Sequence, residues 1–128
     1  MVSAITEGIK VSVRVQYQRA HSSPWQQHYV FTYHVEIENN SPYTVQLLRR
    51  KWEIFDAADS KKIVEGEGVV GQQPTLEPGE KHAYVSGCNL KSGLGKMLGT
   101  YTMERIVDGQ LFDVNIPEFQ LLAEDLQN

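Results

Sequence analysis

The segment IKVSVRVQY, Ile9–Tyr17, alternates apolar and polar residues without interruption. Successive side chains of a β-strand point to opposite faces, so this pattern predicts a strand with one buried and one solvated face. A second segment of the same kind, YVFTYHVEIE at Tyr29–Glu38, follows a polar loop that carries Pro24 and Trp25. Period two is therefore the dominant pattern of the front half of the chain.

The next apolar segment, residues 44–56, changes the phase of its alternation. Apolar residues occupy odd positions up to Leu47 and even positions from Leu48 onward. A strand changes phase where an extra residue is inserted, so the pattern predicts a β-bulge near residues 47–49.

The phase after this bulge gives Arg50 two alternative orientations. If Arg50 follows the even-numbered phase, its side chain points inward and needs a partner, for which Glu104 and Asp113 are the candidates. If the bulge rotates the strand, Arg50 points outward into water. The sequence leaves both alternatives open.

Further short strands are expected downstream, separated by turn residues. Pro78-Gly79 is typical of a type II turn and Asp108-Gly109 of a hairpin. The expected strands cover residues 61–65, 82–88, 96–107 and 110–116, and the residues after Pro117 are expected along a sheet edge. Seven or eight short strands without a convincing helix predict an all-β fold, a fibronectin type III/immunoglobulin-like two-sheet β-sandwich. The chain has one cysteine, so the immunoglobulin disulfide is excluded and the fibronectin type is favoured.

Length and composition indicate one globular domain over residues 1–128, with a core at about 5–122 and a loose tail at 123–128. The net charge of −4 argues against a nucleic-acid partner, which requires a concentrated positive surface. No apolar run is long enough to span a membrane, and no signal peptide is visible. The single cysteine fits a reducing, cytoplasmic setting.

The segment Gly66-Glu67-Gly68-Val69-Val70-Gly71 matches the G-x-G-x-x-G pattern of dinucleotide-binding folds. That pattern requires a helix directly after the glycines, and the following Gln73-Pro74 prevents one. We therefore expect a twisted loop whose glycines supply special backbone angles. The alternative is a loop whose free N–H groups bind an anion such as a polyphosphate, assisted by Lys61, Lys62 or Lys81.

Two weaker chemical signals lie on or near the strands. His34 and Glu36 share one strand face and would hold a divalent cation only with a third ligand, and a solvated polar face is the favoured explanation of this pattern. Cys88 has no base beside it in sequence and is expected to act as a small buried hydrophobe. No catalytic constellation is found, so no enzyme activity and no cofactor are expected.

The ordered residues of this chain resemble the ApaG family over about residues 5–122. The resemblance rests on four groups of residues: VQLLRRKWEI at Val45–Ile54, GEGVVGQQP at Gly66–Pro74, Leu76 with Pro78-Gly79-Glu80, and Tyr101 with Met103, Gly109, Phe112 and Ile116-Pro117. This chain departs from the family pattern at Ser92-Gly93, where Thr-Pro is usual, and at Thr100, where His is common.

The resemblance implies a fibronectin III-like sandwich in a family linked to cobalt tolerance and magnesium efflux, without agreed catalytic residues. The resemblance implies a protein-interaction module, and the lack of a catalytic constellation in the residues agrees with that expectation. Its contact surface is expected at an exposed strand edge, at Asn89–Gly95, or at the loop residues Gly66, Gly68, Val69, Val70, Gly71, Gln73 and Pro74. The partner protein and the oligomeric state stay open. The alternative is a small-ligand site, for a polyphosphate or nucleotide on the Gly66–Gly71 loop or for a divalent cation.

Overall fold

A computed structural model describes residues 1–124 as two antiparallel sheets packed face to face. The nine strands are β1 Val2–Thr6, β2 Ile9–Tyr17, β3 Tyr29–Asn39, β4 Val45–Asp56, β5 Lys62–Glu67, β6 Thr75–Leu76, β7 Lys81–Leu90, β8 Leu94–Arg105 and β9 Gln110–Leu122. The first sheet has the order β1-β2-β3-β7 and the second β5-β4-β8-β9, with β6 paired to β4. The expected all-β sandwich is confirmed.

The alternating segments bury the residues that their period assigns to the interior. Phe31, Val35 and Ile37 of β3 are fully buried, and β2 buries its odd-numbered residues in register with them. Trp52 of β4 lies between the sheets, with ring centroids 5.4 Å from Tyr33 and 5.9 Å from Phe119. This aromatic contact joins both sheets at the centre of the core.

The predicted bulge is confirmed. The register between β4 and β8 shifts between Leu47 and Arg49, so Leu48 has no opposite residue on β8. A second shift lies between Met97 and Gly99, where β9 carries Pro117. Proline is tolerated in a strand at such a bulge because it has no N–H to donate.

Several expected boundaries were wrong. β1 was not predicted, because this edge strand is largely exposed and shows no alternation. β9 continues through Pro117 to Leu122 instead of ending at residue 116. The tail expected at 123–128 does not begin at Ala123, which is fully buried and donates its N–H to the Gly93 carbonyl. Residues 125–128 lie outside the described residues.

Two short 3-10 turns lie between β2 and β3, at Arg19–His21 and Pro24–Gln26. No helix among residues 1–124 is long and apolar enough to cross a membrane.

The two sides of the sandwich differ. On one side β1 and β2 pack against β9, and the Asn115 N–H donates to Thr6 Oγ1 at 3.1 Å. On the other side the edge strands β5 and β7 leave clefts between the sheets. We call this second side the open side.

Candidate functional site

The open side is bordered by the segment after β5, residues 66–74, which we call the glycine loop. Val69 and Gln72 exchange two backbone hydrogen bonds of 2.8 and 3.0 Å around Val70 and Gly71. Val70 and Gly71 both have positive φ, 49° and 75°. Positive φ at both central residues is the mark of a type I′ turn. The twisted loop expected from the glycines is confirmed.

Each glycine of the loop meets a different requirement. A Cβ on Gly66 would lie 2.8 Å from the Arg50 guanidinium, which covers this residue. A Cβ on Gly68 would lie 2.2 Å from the Gln72 carbonyl oxygen, and Gly68 also has φ +62°. Gly71 has open space around it and is required by its φ alone.

The β4 bulge anchors this loop. The Leu48 carbonyl accepts the Gly68 N–H at 2.8 Å and Gln73 Nε2 at 3.0 Å. The Leu47 N–H donates to the Pro74 carbonyl at 3.0 Å, and Gln46 Nε2 donates to the Gln73 carbonyl at 3.1 Å. The phase change that the sequence shows at Leu48 therefore provides the attachment point of the loop.

Arg50 forms the other attachment. It lies on the same face of β4 as Trp52, and its Nη1 donates to the carbonyls of Glu67 and Gly68, each at 2.9 Å. The inward alternative is therefore correct, but the expected partners Glu104 and Asp113 are not used. Sequence reasoning considered acidic side chains and missed the backbone carbonyls of the loop. Within residues 1–124, Arg50 has no carboxylate within salt-bridge distance.

The tip of the loop separates a buried valine from an exposed one. Val69 is 1% exposed and belongs to the core, whereas Val70 is 64% exposed. Gly68 is also buried. Val69 and Gly68, both expected as contact residues, therefore position the loop from inside, while Val70, Gly71 and Gln73 face solvent. A β-branched residue at positive φ is an outlier that the surrounding structure must enforce.

A cleft of about 230 Å³ lies between the loop and β7. Arg50, Val70, Tyr84 and Ser86 contribute to its lining, and the hydroxyl groups of Tyr84 and Tyr101 form a hydrogen bond beside it. Burial raises the pKa of both phenols above their ordinary value, with the positive charge of Arg50 acting in the opposite direction. The phenols therefore stay protonated at neutral pH.

A second cleft, of about 240 Å³, lies further along β7 and is lined by Ile54, Lys62, Cys88 and Leu90, among others. Burial raises the pKa of Cys88 to about 12, so its thiol stays protonated and packs against the core.

The loop expected at Asn89–Gly95 is shorter than that, because β7 extends to Leu90 and β8 begins at Leu94. Its connection is held by Asp56, which accepts the Lys91 N–H and the Ser92 hydroxyl. Burial alone would raise the pKa of Asp56, but these hydrogen bonds outweigh it and lower the pKa.

The two proposed cation ligands, His34 and Glu36, line one shallow cleft, but the third ligand that a metal ion would need is not found beside them among residues 1–124. His34 lies opposite Arg14, and Glu36 pairs with Lys81 at 3.4 Å. No group of three His, Cys, Asp or Glu side chains suited to a metal ion occurs in residues 1–124. Lys61 pairs with Glu53 at 3.2 Å.

Part of the glycine-loop backbone is not available to an anion. The N–H groups of Gly68, Val69 and Gln72 are engaged in internal hydrogen bonds. Lys62 begins β5 at the end opposite to the loop, and Lys81 pairs with Glu36.

One exposed aromatic residue was misjudged. An aromatic residue in a loop can anchor a partner or pack against a sheet edge, and for Trp25 edge packing was the favoured expectation. In the Pro24–Gln26 turn Trp25 is instead 98% exposed. Nothing in the alternation of the sequence distinguishes these two arrangements, because the residue lies in a loop without a period.

These features define a two-sheet β-sandwich whose open side carries a rigidly anchored glycine loop. The ApaG domain model matches residues 19–105. The Brucella canis protein ApaG is 46% identical over 121 residues, covering 94% of this chain and 92% of that protein. Protein ApaG of Parvibaculum lavamentivorans is 47% identical with the same coverage. The chain belongs to the ApaG domain family.

A solved structure supports the fold independently. A crystal structure from Bordetella pertussis, of a protein named there as ApaA, superposes with a TM-score of 0.86 at 43% identity. The alignment covers 91% of this chain and 94% of the Bordetella pertussis chain.

Proposed function

We propose that this chain is a non-enzymatic binding module that recognises another protein through the open side of the sandwich. The observation that carries this proposal is Val70: an apolar, β-branched side chain held at φ +49° with 64% of its surface in water. Such a conformation has an energetic cost of the order of 1–3 kcal/mol. A strained residue that buries little surface of its own suggests selection for a contact with another molecule.

The anchoring of the loop supports the same proposal. Hydrogen bonds from Arg50, Gln73 and Gly68 fix the loop before any partner arrives. A preorganised surface loses less conformational entropy on binding than a mobile one. A rigid apolar tip is therefore an effective anchor for a protein contact.

The chemistry of the open side favours binding over catalysis. Tyr84 and Tyr101 are hydrogen-bonded to each other, and burial keeps these phenols and the Cys88 thiol protonated. A nucleophile requires a lowered pKa or an adjacent base. The link to cobalt tolerance and magnesium efflux that the family resemblance implies would then act through a protein contact.

Affinity capture with three tagged proteins tests the proposal. The wild type should retain a specific protein from the extract of its native cell, and Val70→Asn should lose it while staying folded. Val107→Asn is the matched control, because Val107 is 76% exposed in the β8–β9 turn, which β4 and β8 separate from the glycine loop. Equal capture by all three proteins would contradict the proposal.

A further inference from the structure

The backbone of β7 offers a partner a way to contact the open side. Its N–H and C=O groups point toward β3 at every second residue and away from β3 at the residues between. The Asn39 N–H donates to the Glu80 carbonyl at 3.0 Å, in the same register that pairs β3 with β7. In an antiparallel pair, hydrogen-bonded and non-hydrogen-bonded positions alternate. The even-numbered residues of β7 therefore bond to β3, and the odd-numbered ones direct their N–H and C=O groups away from it.

These outward groups have no partner strand among residues 1–124, since β7 pairs only with β3 there. The outward positions are Lys81, Ala83, Val85, Gly87 and Asn89. They form a regular row over the whole length of a ten-residue strand.

β7 also lacks the features that normally protect an edge. Between His82 and Leu90 it has no Lys, Arg, Asp, Glu or Pro, and its register with β3 is continuous. The edge strand β5 carries Lys62, Glu65 and Glu67, and β9 carries Pro117 at a bulge. Edges are commonly blocked by charges, prolines and bulges. The remaining edge strand, β1, has only five residues and packs against β9. The free edge of β7 is thus the longest edge among residues 1–124 that lacks these features.

The side chains beside this edge indicate what would pair with it. A strand added to β7 would turn alternate side chains toward the cleft that Tyr84, Ser86 and Arg50 line. Arg50 Nη1 donates hydrogen bonds to two carbonyl oxygens. Among the described residues, no carboxylate forms an ion pair with the guanidinium. A carboxylate entering this cleft would gain a charge-assisted hydrogen bond to the guanidinium.

We propose that the partner protein binds as an extended segment, which adds a β-strand to the free edge of β7 and places an Asp or Glu side chain at Arg50. This inference rests on the proposed function and specifies the chemistry of the partner. A second copy of this chain fits less well, because β7 contains no acidic residue to offer to Arg50. Strand addition gives affinity through the backbone and specificity through such alternate side chains.

Amide NMR of the labelled protein tests the proposal with a defined probe, a blocked nine-residue peptide of alternating Thr and Val with one central Glu. The peptide should shift the amide signals of Ala83, Val85 and Gly87. Its counterpart with Gln in place of Glu should bind about fivefold more weakly, the size expected for one partly exposed ion pair.

Val85→Pro supplies the matched variant. The Val85 N–H points to the free edge and its side chain is 50% exposed, so proline there removes an edge donor without removing a bond to β3. Val85→Pro should abolish peptide binding, whereas Val85→Thr should retain it.

Four results would overturn the inference: shifts confined to other amides, no binding at all, equal binding of the Glu and Gln peptides, or unchanged binding by Val85→Pro. A wild-type dimer that dissociates in Val85→Pro would show that the occupant is a second copy instead. If the peptide fails to bind while capture of the native partner still depends on Val70, the proposed function stands and only the strand-addition mechanism fails.

Discussion

Replacing Gly68 and Gly71 by alanine, one at a time, separates two reasons why a loop needs glycine. Both residues have positive φ, 62° and 75°, so alanine at either position enters the left-handed region at a cost of about 1–2 kcal/mol. Alanine also lowers the conformational entropy of the unfolded chain, and this offsets roughly 0.4–1 kcal/mol of the cost in the folded state. Gly71→Ala has open space for its methyl group, so its free energy of unfolding should fall by about 1 kcal/mol in total.

Gly68→Ala adds a collision to the same conformational cost. Its Cβ would lie 2.2 Å from the Gln72 carbonyl oxygen, and backbone has to move to relieve this contact. Movement breaks the two Val69–Gln72 hydrogen bonds, each contributing about 1 kcal/mol. The expected loss is therefore about 3 kcal/mol, roughly 2 kcal/mol more than for Gly71→Ala.

Urea unfolding followed by tryptophan fluorescence measures this difference. With an m-value of about 2 kcal/mol/M, the unfolding midpoint of Gly68→Ala should lie about 1 M below that of Gly71→Ala. Equal midpoints for the two variants, at unchanged m, would refute the close approach of Gly68 to Gln72 and with it the described shape of the loop.

Three further predictions follow from the same side of the molecule. Val70→Asn produces the Asn-Gly pair that type I′ turns prefer, so the free energy of unfolding should rise by about 1 kcal/mol. The melting temperature should then rise by about 4 °C, and a lower melting temperature would contradict the strain at Val70. Burial raises the pKa of Tyr33, Tyr84 and Tyr101, so the unfolded chain releases these protons first and the free energy of unfolding should fall as the pH rises above about 10. Tyrosinate absorbance should show these phenols ionising only with unfolding, and ionisation of all six tyrosines in the folded chain would refute this. Saturating Mg²⁺, Co²⁺, ATP or GTP should leave the melting temperature unchanged, whereas a ligand at 100 times its Kd would stabilise the chain by about 2.7 kcal/mol.

The parts of the fold that were predictable are those in which burial imposes a period. The alternation of β2 and β3 predicted their buried faces, and the phase change at Leu48 predicted the bulge. β1 was missed because an exposed edge strand needs no alternation. The extent of β9 was missed because Pro117 was taken as a strand end, although the bulge accommodates it.

For the candidate site, the sequence predicted the unusual backbone angles of the loop but not the contacts of its side chains. The spacing of Gly66, Gly68 and Gly71 indicated a loop with special angles, and the structure gives each glycine its own reason. The partner of Arg50 was not predictable, because carbonyl oxygens are present at every residue and leave no mark on the sequence. Nor does the sequence distinguish Val69 from Val70, since only the turn decides which of two adjacent valines faces the core.

Site-specific photocrosslinking tests the central claim most directly. A benzophenone amino acid placed at position 70 in the native cell should give one discrete protein adduct, and the same group at position 107 should not give it. Mass spectrometry of the adduct should place the crosslink on an extended segment of the partner. Absence of an adduct from position 70, or the same adduct from both positions, would contradict the assignment of the open side as the partner-binding surface.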